Sequence, residues 1–201
     1  MNKKRPQYHH GDLRAALLKV AAKMIAEQGI ESLTLRALSE RIGVSRTAPY
    51  RHFADKSALL AAVAEEGFNR LFKKIQTAMQ QAEADTIDQF QKMGVAYVQF
   101  AIDNPTHYRL MLTCEADSHD IYPDLEKAGE KVFDLLMETI KKGQTEKKFK
   151  PGDPLNLAYV VWAAVHGLAA LMIDAQIHHE VDIEGLANFT TRTVVEGMLP
   201  R

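Results

Sequence analysis

Apolar side chains recur at spacings of three and four along this chain, and nowhere do they alternate as on a half-buried strand. The pattern predicts an all-α protein. Leu13, Leu17, Val20, Ala21, Met24 and Ile25 draw the first stripe, which Gly29 ends as a left-handed residue after the helix. Thr34 stands before Leu35, Leu38 and Ile42, so its hydroxyl can accept from the free amides of a short second helix that Gly43 closes. Ser45 repeats that capping arrangement before an expected third helix, 46–53, with Pro49 in its first turn, where a missing N–H is tolerated. From Asp55 a long fourth helix follows, with Leu60, Val63, Ala64, Phe68, Leu71, Ile75 and Met79 on one face.

Further stripes run from Ile87 to Ile102, His107 to Thr113, Tyr122 to Ile140 and about 182–199. With the segment Leu157 to Ile173 they bring the total to about nine helices. Asn104-Pro105 reads as a stop and restart, and the turn at 150–154 places Asp153 as a cap with Pro154 at the first helical position. Leu157 to Ile173 differs in kind, because only His166 and Gly167 fall outside the apolar set. Its length sits at the short limit for a membrane span, and its flanks (Asp153, Asn156 and Asp174) lack basic anchors. The expected cover is a second copy of the chain, not a bilayer.

A chain of 201 residues with 46% hydrophobic and 25% charged content is globular and long enough for a sizeable core. Cys114, the only cysteine, excludes an internal disulfide and a cysteine-rich zinc module, which makes a cytosolic setting the expectation. The basic start MNKKRPQYHHGDLR has no apolar run of the kind a secretory signal needs. Neighbouring histidines at His9-His10 and His178-His179 diverge by about 100° on a helix, so no metal is expected, and no cofactor. The net charge of −1 conceals a division at Lys56. Residues 1–56 hold 11 Lys and Arg against 5 Asp and Glu, net +6, and residues 57–201 hold 14 against 21, net −7. A basic head on an acidic body points to a polyanion partner.

Within that head, two short helices separated by Gly43-Val44-Ser45 have the spacing of a helix-turn-helix. Arg46 is placed to reach guanine O6 and N7 together, and the methyls of Thr47 and Ala48 suit a thymine methyl. Tyr50, His52 and Lys56 fall where phosphate oxygens run. A small helical hairpin with ordinary surface charges is the plainer alternative, against which capping, spacing and charge agree.

The string from Thr34 through Gly43-Val44-Ser45, Tyr50, His52-Phe53 and Asp55-Lys56-Ser57-Ala58-Leu59-Leu60 resembles the N-terminal domain of the tetracycline-repressor (TetR) family of transcriptional regulators. The resemblance covers about residues 10–62. It implies a DNA-binding head at 1–56 and an effector-binding and dimerisation body at 57–201. It implies a homodimer that represses genes from double-stranded DNA until a small organic effector releases it. By the same resemblance Arg36 joins Arg46 to Ala48 in facing bases, with Tyr50, His52 and Lys56 on the backbone. Pro49 departs from the aliphatic residue frequent at its place. Asn104-Pro105, Arg109-Leu110-Met111 and the Trp162, His166, Gly167 cluster resemble a subgroup of the family.

A body of this size predicts a cavity, placed among Tyr97, Phe100, His107, Tyr108, Met111, Phe133 and Met137, with Trp162 and His166 as further ligand candidates. Such stripes also serve as plain core, and a histidine placed like His166, readable as an effector's hydrogen-bond partner or a pH switch, is more often a satisfied core group bonded to a carbonyl. Two heads on neighbouring major grooves predict a palindromic operator. The chain has no phosphate loop, no nucleophile elbow and no zinc spacing, which argues against an enzyme. A helical dimeric adaptor or ligand-binding protein without DNA binding is the remaining alternative.

Overall fold

The computed structural model describes residues 10–83, 85–117, 121–177 and 181–200. These form eight α-helices: α1 (His10–Gln28), α2 (Leu35–Ile42), α3 (Lys56–Gln80), α4 (Thr86–Asp103), α5 (Pro105–Asp117), α6 (Pro123–Thr145), α7 (Pro154–Ile173) and α8 (Ile183–Met198). There is no strand among the described residues. His9 and the His178-His179 pair lie outside them.

Three of the predicted caps are in place. Thr34 Oγ1 accepts the Ala37 amide at 3.0 Å, Asp55 the Ala58 amide at 2.8 Å, and Asp153 the Leu155 amide at 2.9 Å. Gly43 adopts φ 80° and ψ 30°, the left-handed turn that brings its amide and that of Val44 back to the Ser39 carbonyl. Gly29 also has positive φ, but with ψ 164° it leads into a single 3-10 turn at Ile30–Ser32.

The expected third helix is not α-helical, and this brings the α-helices to eight. Residues 46–48 are a turn followed by a 3-10 turn at Pro49–Arg51. The cause is Pro49. An α-helix beginning at Ser45 needs the amide of residue 49 on the Ser45 carbonyl, and proline has none. The Ala48 amide takes that carbonyl instead, at 3.0 Å, and His52 bonds Pro49 across the same three-residue interval. Ser45 Oγ meets Thr47 Oγ1 at 3.3 Å and caps no helix.

The apolar stripes turn inward as drawn. Leu17, Ala21, Leu38, Val63 and Leu71 are almost without exposure and belong to one continuous core that reaches Leu168 and Ala169 on α7. The central member is α3, which packs on α1 at the head and on α4, α5 and α6 in the body. The fifth and sixth stripes join at Asn104, whose amide bonds the Phe100 carbonyl and whose own carbonyl opens α5 at Tyr108. Helix α7 buries Ala158, Val161, Val165, Leu168 and Ala169 on one side and exposes Leu155, Tyr159, Val160 and Leu171 on the other. By length and hydropathy it is the one helix among the described residues able to cross a membrane.

Restoring an amide at position 49 tests the origin of the short third element. In Pro49→Ala the new N–H can reach the Ser45 carbonyl, and backbone chemical shifts of residues 46–53 should move to α-helical values. Unchanged shifts would place the cause elsewhere.

Candidate nucleic-acid interface and body cavity

On the head, Arg36, Ser45, Arg46, Thr47 and Tyr50 are exposed, and Ala48, His52 and Lys56 are partly covered. Tyr50 is 56% exposed, unusual for an aromatic side chain in a segment otherwise anchored by the buried Pro49 and Phe53. Thr34 has its oxygen committed to the α2 cap, so it holds that helix in place.

Glu40 draws the two arginines together: Arg36 Nε donates to Glu40 Oε1 at 3.2 Å, and Arg46 Nη2 lies 3.9 Å from the same oxygen. These pairs are exposed, so each is worth at most about 1 kcal/mol and is readily exchanged for a phosphate or a base. Lys56, at the first position of α3, stands 4.0 Å from Glu31. Arg14 braces the turn from behind, over the Phe53 ring at 5.8 Å and 3.6 Å from Glu65. The sequence reading missed Glu40, whose position four residues after Arg36 on α2 is the available signal.

The body encloses a cavity of about 530 Å3 between α3, α4, α5, α6, α7 and α8. Four of the nine expected ligand residues line it: Tyr97, Met111, Phe133 and Trp162. The other five do not. Phe100 is fully buried in the core, and Met137 packs with the separate cluster around Phe90, Ile140 and Phe149. His107 faces α3, with Nε2 3.5 Å from Arg70 Nη1, while Arg70 also donates to Asn104 Oδ1 at 2.8 Å.

Tyr108 and His166 lie behind the cavity wall as parts of a hydrogen-bonded chain. Trp162 Nε1, a donor only, gives its proton to Tyr97 Oη at 3.2 Å, Tyr97 and Tyr108 hydroxyls meet at 3.1 Å, and Tyr108 Oη lies 2.7 Å from His166 Nδ1. Burial pushes the Tyr108 hydroxyl far above the usual phenol range, with Tyr97 adding to the shift, so Tyr108 stays protonated within this chain. Burial also lowers the pKa of His166, consistent with a neutral ring. His166 is therefore a satisfied interior group, bonded to a phenol.

The wall also uses residues that sequence reading assigned to the core or left out. Phe68, Leu71 and Ile75 come from α3, Phe90, Met93 and Gly94 from α4, and Thr191 and Val194 from α8. Gly94 allows α8 to approach closely, since a Cβ there would stand 2.5 Å from Thr191 Cγ2.

Comparison with known proteins agrees with both halves. The model described as bacterial regulatory proteins, tetR family, matches residues 17–63, and the one described as tetracyclin repressor-like, C-terminal domain, matches residues 90–194. An uncharacterised HTH-type transcriptional regulator of Bacillus subtilis, YobS, is 24% identical over 184 residues, 91% of each chain. A nucleoid occlusion factor of Marinomonas, SlmA, is 30% identical over 173 residues, 86% of this chain and 85% of its own. A solved structure from Rhodococcus sp. RHA1, of unknown function, is 31% identical and superposes with a TM-score of 0.87 over 98% of this chain and 100% of its own.

Burial, aided by Arg70, lowers the His107 pKa from 6.5 to about 4. A histidine that stays neutral when folded but charges when unfolded stabilises fully above pH 6.5, and the contribution is lost as pH falls toward 4. Asp85, Asp103 and Glu146, with carboxyls held low chiefly by bonds to Lys148, Lys74 and Thr86 respectively, begin to lose theirs only below about pH 4.5. Urea midpoints should therefore decline between pH 6.5 and 4.5, with His166 adding in the same direction, and His107→Gln should make that decline shallower. An identical slope in the variant would remove His107 as a source.

A helix-turn-helix head with a capped α2, a body built from α3 to α8, and family models matching both halves leave one assignment: the chain is a DNA-binding transcriptional regulator, not an enzyme, and belongs to the TetR family.

Proposed function

We propose that this regulator is a cytoplasmic homodimeric repressor that holds a palindromic operator and leaves it when a small organic molecule enters the body cavity. The observation that carries the reading is that one helix serves both sites. The first residue of α3, Lys56, belongs to the basic face, and Phe68, Leu71 and Ile75 of the same helix form cavity wall. A molecule that favours one arrangement of that wall therefore changes where the head points, and operator affinity falls by the molecule's differential affinity for the two states.

Two copies supply the cover that α7 lacks. Tyr159, Val160 and Leu171 on α7 and Phe189 on α8 are large apolar side chains in water, the kind of patch that marks an interface. Gly167 has no atom within 4 Å of where a Cβ would stand, leaving that part of α7 open to close approach. In the repressor, Arg46 and Arg36 exchange Glu40 for base edges, Thr47 and Ala48 offer methyls, and Tyr50, His52, Lys56, Ser45 and Thr34 contact the backbone.

Selection from random duplexes should return a palindrome with half-site centres about 34 to 36 Å apart, or a multiple. Asymmetric single sites alone would overturn the dimeric reading. On that operator Arg46→Ala should cost about 1 to 3 kcal/mol and relax one base position, and Lys56→Ala should weaken all sequences and reduce the salt slope by about one unit. Equal losses on operator and random DNA for Arg46→Ala would remove its base contact.

A further inference from the structure

The cavity walls carry a charge pattern that a general organic effector does not use. Three rings, Phe133, Tyr159 and Trp162, are in mutual contact with centroids 5.5 to 6.4 Å apart. Beside them on α6 stand Glu130 and Asp134, one turn apart, both exposed and both lining the cavity. Among the described residues they are its only charged lining residues, and no Lys, Arg or His shares the wall. Lys127 and Lys131 are exposed on the same helix, yet neither carboxylate forms an ion pair among the described residues.

We propose that the effector is a lipophilic cation, a bulky organic molecule with a quaternary or delocalised positive charge. This rests on the reading that the cavity is the effector site. The volume of about 530 Å3 suits a drug-sized molecule. Its inner wall, with Phe68, Leu71 and Met93, is apolar and accepts a greasy body.

The charge belongs at the α6 side, where ring faces present negative quadrupoles and two carboxylates attract it. An organic anion would meet those carboxylates with no cationic side chain among the described lining residues, so the same residues that favour one sign reject the other. A neutral molecule of equal size gains the apolar wall alone.

The chain has a single tryptophan, and it lines the cavity, so its fluorescence reports occupancy directly. The full chain is titrated with tetraphenylphosphonium, neutral triphenylphosphine oxide and tetraphenylborate. The phosphonium should bind saturably and about tenfold or more tightly than the oxide, with the borate weaker than both. In the double variant Glu130→Gln, Asp134→Asn the cation should lose about tenfold and the oxide should be unchanged. Both positions are exposed, so the variant keeps its fold, which circular dichroism checks. If the oxide or the borate binds as tightly as the phosphonium, or if the double variant leaves cation affinity unchanged, the proposed charge preference is overturned while the cavity remains a ligand site. Should none of the three bind, the effector reading of the cavity falls with it.

Discussion

The continuity of α3 is the constraint on which the rest of this structure depends. Twenty-five residues of unbroken helix span about 37 Å at 1.5 Å per residue, and their buried face runs from Leu59 to Ile75 without a polar interruption. The N-terminal end is fixed by Asp55, which caps Ala58, and by the buried Phe53 before it. Every other helix of the body except α7 and α8 packs directly on this one, and α4 carries those two. Breaking α3 anywhere in its middle would separate the head from the cavity. No glycine or proline kink marks such a break, and the one interior glycine, Gly67, serves packing.

Electrostatics and packing divide the work between the two ends. At the head the basic residues are exposed and loosely tied to Glu40 and Glu31, so that their contacts are weak enough to be traded. In the body one polar cluster on α4, α5 and α7 is committed to itself. Tyr97, Tyr108, Trp162 and His166 satisfy one another, and no buried side-chain nitrogen or oxygen among the described residues lacks a partner. A committed network keeps the cavity wall in one arrangement, which is what a site needs before a ligand can select between two.

Much of this was legible in the sequence because helix periodicity and end signals act locally. Thr34, Gly43, Asp55 and Asp153 terminate or cap helices for reasons confined to a turn, and each does so here. Pro49 was read by its tolerance at a helix start, but its missing amide falls on the one carbonyl that the third helix needed. The cavity was harder, because a stripe facing empty space and a stripe facing other side chains have the same period. Phe68, Leu71 and Ile75 show this: they share one stripe with Val63, yet they line the cavity and Val63 does not. His107, Tyr108 and His166 were read as wall and lie behind it, since polarity in an apolar stripe does not reveal which side of the wall holds the partner. Glu130 and Asp134 were not singled out, since an exposed carboxylate beside a cavity has the same sequence signature as any other on a helix face.

The contact between α3 and α5 shows how little movement the proposed regulation requires. A Cβ at Gly67 would lie 2.7 Å from Met111 Sδ and 3.3 Å from His107 Cβ, so side chains of α5 rest directly on the α3 backbone there. Met111 also faces the cavity. The same side chain is thus in reach of a bound molecule on one side and pressed on the α3 backbone on the other. Close-packed interiors have no slack in which such a displacement can be absorbed. In the proposed regulation a molecule that displaces Met111 toward Gly67 presses on α3, a continuous helix capped at its start by Asp55. Arg70 sits one turn beyond Gly67 and ties the same stretch to Asn104, where α4 gives way to α5. The proposed regulation would therefore run from the wall to the head along the α3 backbone, with no relay of surface side chains.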